Sequence, residues 1–241
     1  MFDKWMEKIS VWLFGYSDKK KQEFGDCLLD VARNGDVAAA RDLLEKGAVT
    51  DRRNMDEETP LHVACRLGNV DIVKLLLAHG ASIDARDDSD GKPIHSAAGG
   101  GSVAVLVLLV AVGADIHENS HSGWVPLLIA AQYGRVEMAK VLLEKGADIH
   151  AATEWKSQAL HIAAVNDQPA MVKFLLSAGA DPMARGDKGE TPRDAAKSDD
   201  VRKVIDDFLK KSDADAVRDA LQNRAARVRR ILSGRPPAPS M

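Results

Sequence analysis

Thr59-Pro60-Leu61-His62 sets the reading of this chain, because the same four positions return at a fixed interval. They reappear as Lys92-Pro93-Ile94-His95, Val125-Pro126-Leu127-Leu128, Gln158-Ala159-Leu160-His161 and Thr191-Pro192-Arg193-Asp194, each 33 residues after the last. Gly-Ala pairs keep the same interval at Gly47-Ala48, Gly80-Ala81, Gly113-Ala114, Gly146-Ala147 and Gly179-Ala180. A third column, Gly35, Gly68, Gly101 and Gly134, lapses to Asp167 at its fifth place. Columns that share one period without an insertion mark a repeat architecture, in which each unit buries its apolar face against the next.

Each column has a mechanical reason. The Thr59 hydroxyl is expected to cap a helix whose first position is Pro60, where a missing N–H costs nothing. Gly68 ends that helix and lets the chain reverse into a second one, Val70 to His79, which Gly80 stops in turn. The pairs Ala64-Cys65, Ala97-Ala98, Ala130-Ala131 and Ala163-Ala164 keep the first helices thin enough to stack. Leucine pairs such as Leu75-Leu76, Leu108-Leu109, Leu142-Leu143 and Leu175-Leu176 fill the space between units. These motifs resemble the ankyrin repeat over roughly residues 22 to 212. The resemblance implies an all-α solenoid of about six helix-turn-helix repeats, with flanking amphipathic helices. The expected organisation is an N-terminal amphipathic helix and basic linker over 1–21, six repeats over 22–212 with the last truncated, and a basic helix with a Pro-rich tail over 213–241. The first unit, around Asp26-Cys27-Leu28-Leu29, lacks the Thr-Pro start, and the last carries charge at Arg193 and Asp194. Polar end units are what a solenoid needs to stay soluble.

Bulk properties agree with helices and exclude several classes. Aromatic residues make up 5% of the 241, so the core must come from Leu, Ile, Val and Ala, and the formal charge of −3 gives no pull toward nucleic acid. Cys27 and Cys65 are far apart, without metal-ligand spacing, and read as small buried residues of a reducing compartment. No apolar run reaches the ~20 residues that span a bilayer. Charged Asp3, Lys4, Glu7 and Lys8 interrupt any secretory signal core, so the expected location is cytoplasmic, or peripheral at a membrane.

Catalytic and metal chemistry find no support. His62, His95 and His161 occupy the motif position, where the resemblance implies that they satisfy backbone groups between neighbouring turns. His117 and His150, one repeat apart, would stand about 8–10 Å from each other, too far for two ligands at about 2 Å from one metal. His121 beside His117 has only Glu118 near it. Gly99-Gly100-Gly101 lacks the Lys-Ser/Thr of a phosphate loop and falls at a helix-helix turn. The expectation is a non-enzyme with no cofactor and no metal.

Binding is therefore sought on loops and first helices, which line the concave face of a solenoid. Trp124 and Trp155 lie in the loops before repeats four and five, and Tyr133 closes a first helix beside Gln132. Trp and Tyr supply large contact area at low entropic cost. Asp87, Asp88 and Asp90 form an acidic tip, while Arg33 and Arg66 take inner positions as a basic patch. The candidate partner-binding set is Arg66, Asp88, His121, Trp124, Gln132, Tyr133 and Trp155. A convex apolar patch is expected at Ala104, Val107 and Ala111, where the preceding repeat has Asp71 and Lys74 on the same face.

Both ends are amphipathic. Phe2, Trp5, Met6, Ile9, Trp12 and Leu13 share one side of a helix followed by Lys19-Lys20-Lys21, which suits membrane docking, capping of the first repeat, or a partner. Val217, Leu221, Val228 and Ile231 line a second helix, Asp213 to Leu232. Residues 213–241 carry +3 and residues 1–25 carry +1, leaving −7 for the repeats against the total of −3. The expected function is a protein-binding adaptor or scaffold. Alternatives are a dedicated enzyme inhibitor or regulatory subunit, and a membrane-recruited protein of the kind secreted by intracellular bacteria, held peripherally through residues 1–21.

Overall fold

Six helix pairs follow one another along the chain. They are α1 (Asp18–Asn34) with α2 (Val37–Glu45), α3 (Pro60–Leu67) with α4 (Val70–Ala78), α5 (Pro93–Gly100) with α6 (Val103–Ala111), and α7 (Pro126–Gln132) with α8 (Val136–Glu144). Then come α9 (Ala159–Val165) with α10 (Pro169–Ser177), and a last pair of the short α11 (Pro192–Ala195) and α12, which runs over 199–212. The structure is a computed structural model describing residues 16–212. Among these no strand forms, and one isolated antiparallel bridge joins Ala152 to Gln158. The two amphipathic segments at the chain ends lie outside the described residues, apart from Lys19, Lys20 and Lys21, which belong to the helix α1 rather than to a linker.

The reversal between paired helices needs a left-handed residue, and the third glycine column supplies it. Gly68 has φ 74 and Gly101 has φ 88. Asp167 adopts φ 54 in the same place, a conformation Asp tolerates better than most residues, and its carboxylate accepts the Ser198 hydroxyl. The lapse in sequence is therefore no lapse in shape.

First helices pack on first helices, and second on second, around a continuous core. Leu61, Leu76, Ile94, Leu106, Leu109, Leu127, Leu142 and Leu160 are fully buried in it, as are both members of every small-residue pair. The tightest approach is α5 on α3: a Cβ at Gly100 would stand 2.1 Å from the Arg66 carbonyl oxygen. Cys65 is buried, which pushes its thiol above its usual range. Cys27 is exposed, correcting the expectation of a buried residue. It falls on the exposed side of α1, beside the exposed Asp26. On the opposite side of the stack from the first helices, Val107 is 44% exposed, and Ala104 and Ala111 are exposed beside it. The apolar strip read from the sequence is thus open.

Candidate binding surface

The loop tips between units are tied into a ladder by backbone hydrogen bonds. The N–H groups of Asp88, His121, Glu154 and Asp187 donate to the carbonyls of Asp56, Ser89, Ser122 and Trp155, at 3.2, 3.0, 3.0 and 3.0 Å. Every tip thus hangs from the one before it, and the side chains carried there are held in fixed places.

The motif histidines brace this ladder from beneath. The backbone N–H of Thr59, Lys92 and Gln158 donates to Nδ1 of His62, His95 and His161, at 3.2, 3.0 and 3.4 Å. Nδ1 is then an acceptor, so the ring proton sits on Nε2, which donates to the carbonyls of Gly91, Glu118 and Glu190 of the next loop. The rings link neighbouring turns, as the resemblance implied. Burial lowers the proton affinity of His62 and His95 against the opposing pull of those carbonyls. Thr59 is the N-cap and forms a capping box with His62, its hydroxyl also standing 2.9 Å from Nδ1 of the ring. Repeat six keeps the geometry with a carboxylate, Thr191 N–H to Asp194 at 3.0 Å.

A charged staple that sequence reasoning missed crosses two tips. Glu118 accepts from Lys92 at 2.8 Å and Arg86 at 2.7 Å, while Lys92 also reaches Asp84 at 2.9 Å. The Lys92 ammonium, then the Arg86 guanidinium, hold the Glu118 carboxyl below its ordinary range. Lys92 stands where the repeat motif has threonine, and that departure was the available signal.

Between these tips and the inner helices α3, α5 and α7 lies an open cleft of about 690 Å³. Six of the seven residues singled out for binding line it: Arg66, His121, Trp124, Gln132, Tyr133 and Trp155. Asp88 does not, although its neighbour Asp87 does. Tyr133 and Trp155 are each 54% exposed, whereas Trp124 is half-buried and packed on the core. The supposed basic patch is neutralised. Arg66 donates to both carboxylate oxygens of Glu58 at 3.0 Å, and Arg33 pairs with Asp30 on the first unit. The acidic tip is also partly engaged. Asp87 accepts the N–H groups of Ser89 and Gly91, and Asp90 pairs with Arg86. Ser96, Ile129 and Arg135 are among the other lining residues. Ser96 was overlooked because large residues were sought at inner positions.

The period, the paired helices and the histidine bridges now stand together, and a family comparison agrees with them. The family model for ankyrin repeats in three copies matches residues 28–120 and 94–186. The chain belongs to the ankyrin-repeat family. No curated protein matches it. Ankyrin repeats typically bind proteins, and no catalytic family is seen here. Among the described residues no three His, Cys, Asp or Glu side chains gather to hold a metal, and no helix is long and apolar enough to cross a membrane. His117, His121 and His150 are exposed ankyrin loop residues.

Proposed function

We propose that this ankyrin chain is a non-enzymatic adaptor that seats another protein on the inner face of repeats three to five. The observation that carries the reading is the pair Tyr133 and Trp155, each 54% exposed at the rim of one cleft and outside the core. Large aromatic side chains held in the open on a rigid frame are the residues that dominate protein interfaces. Trp124 contributes to the same wall but also packs on the core, so its truncation confounds binding with stability. The cleaner test is the double variant Tyr133→Ala/Trp155→Ala, in quantitative affinity purification from the native host. The proteins retained by the wild-type chain are expected to be lost, with helical circular dichroism unchanged. Equal retention by the double variant refutes the reading. The same experiment separates adaptor from dedicated inhibitor, because several partners support the first and one stoichiometric enzyme the second.

The open strip at Ala104, Val107 and Ala111 favours a second contact on the outer face, since exposed apolar patches commonly mark one. Two surfaces on opposite sides suit a scaffold. Peripheral attachment to a membrane through residues 1–21 is a separate proposal, tested by flotation of the full chain with liposomes against a chain lacking those residues.

A further inference from the structure

A second groove, of about 670 Å³, opens at the far end of the stack between α10 and α12. Leu176 of α10 and Val204 and Phe208 of α12 give it apolar walls, and Asp207, Lys211 and Ser212 line it toward the end of the described chain. Asp207 and Lys211 form no ion pair among the described residues.

Val204 and Phe208 stand 33 residues after Met171 and Leu175 of α10, which follow Met138 and Leu142 of α8 at the same interval. Those four are fully buried, whereas Val204 and Phe208 keep the apolar character and are only half-buried. Apolar surface left open where repeats two to five close it calls for a cover. The chain itself supplies a fitting piece. It runs on from Ser212, a lining residue, to Met241. Asp213 and Asp215 are residue types that start helices. Ala214, Val217, Leu221, Ala225 and Val228 then recur at spacings of three and four, the pattern of one apolar helix face. Asp213 and Arg218 flank that face with charges opposite to those of Lys211 and Asp207.

We propose that residues 213–232 fold back as a helix onto the groove between α10 and α12, with Val217 and Leu221 covering Phe208 and Val204. The pairing is that of two antiparallel helices joined by a short loop, and it brings Asp213 to Lys211 and Arg218 to Asp207. Tethering selects this occupant. A segment joined at the groove's own edge meets it at an effective concentration of about millimolar, which a separate molecule has to match. The inference stands apart from the inner-face cleft, and it assigns the apolar side of the C-terminal segment to the chain's own stack rather than to a partner.

The test uses the full chain with Cys27→Ser, so that no exposed native thiol competes. Cysteines are introduced in pairs, Val204→Cys with Leu221→Cys and Phe208→Cys with Val217→Cys, because a disulfide needs Cβ atoms within about 4.5 Å. Under mild oxidation of dilute protein, both pairs are expected to close within one chain. Closure should be at least tenfold faster than for Val204→Cys with Gln222→Cys, whose second position lies off the apolar face. Hydrogen exchange gives a readout free of introduced thiols. Amides of residues 169–177 should exchange at least fivefold faster in Val217→Asp/Leu221→Asp than in the wild-type chain. Equal closure at positions 221 and 222, or unchanged exchange in the aspartate variant, overturns the proposal. Disulfides formed only between two chains also overturn it, and give the groove to a second copy instead.

Discussion

Adjacent glycines in α5 should respond to the same substitution with opposite signs. An alanine at Gly100 places its Cβ 2.1 Å from the Arg66 carbonyl oxygen and 2.8 Å from the carbonyl carbon. Neither is the flexible end of a side chain, so α5 must move off α3 along its closest line of contact. Overpacking of this kind costs about 1–3 kcal/mol, and the helix-propensity gain at the last residue of a helix offsets little of it. At Gly99 the nearest atoms are at 3.4 and 3.5 Å, so no clash opposes the propensity gain of about 0.5–1 kcal/mol. Urea unfolding followed by circular dichroism at 222 nm measures both. Gly99→Ala should raise the midpoint slightly, and Gly100→Ala should lower it by clearly more. Shifts of the same sign, or a larger loss at Gly99, would refute the stacking geometry on which the cleft depends.

Three further outcomes follow from particular contacts. His62 and His95 have proton affinities lowered by burial from an ordinary pKa of 6.5. Below that pH the unfolded chain takes up protons that the folded chain refuses. Stability is complete above about pH 6.5 and falls as the pH drops, by up to about 1.4 kcal/mol per unit for each ring. Urea midpoints between pH 5 and 8 should show this slope, and His95→Gln should flatten it. Lys156 holds φ 56 at a loop tip where the next tip has Gly189 at φ 79. Lys156→Gly should therefore stabilise by about 0.5–1 kcal/mol and Gly189→Ala destabilise by about 1 kcal/mol, read as opposite shifts in thermal midpoint. Glu118→Gln should cost about 1 kcal/mol by breaking a partly exposed network. The loss should shrink in 1 M salt, and a salt-independent loss counts against the staple.

Much of this molecule could be read from residues alone, because a repeat states its rule several times. Proline at Pro60, Pro93 and Pro126 and glycine at Gly68 and Gly101 placed helix starts and reversals, and the structure puts them there. Asp167 shows the limit, since conformation persisted where the residue type changed. The binding set was partly legible. Tyr133 and Trp155 announced themselves as large residues where the repeat does not require them. Arg66 was misjudged because a single inner arginine carries no sign of Glu58, eight positions earlier, folding back onto it. Ser96 was harder still, because a small residue in a cleft wall reads as spacing. The Lys92–Glu118 staple joins positions 26 apart across two loops, a pairing that only the stacked geometry reveals.

Site-specific photo-crosslinking tests most directly whether the inner face is where this protein works. A photoreactive phenylalanine derivative placed at Tyr133, on the inner helix, and in a separate chain at Val107, on the outer strip, is irradiated with protein from the native host. The partner lost on Tyr133→Ala/Trp155→Ala should be joined covalently through position 133 and not through position 107. Joining through position 107 alone would contradict the account.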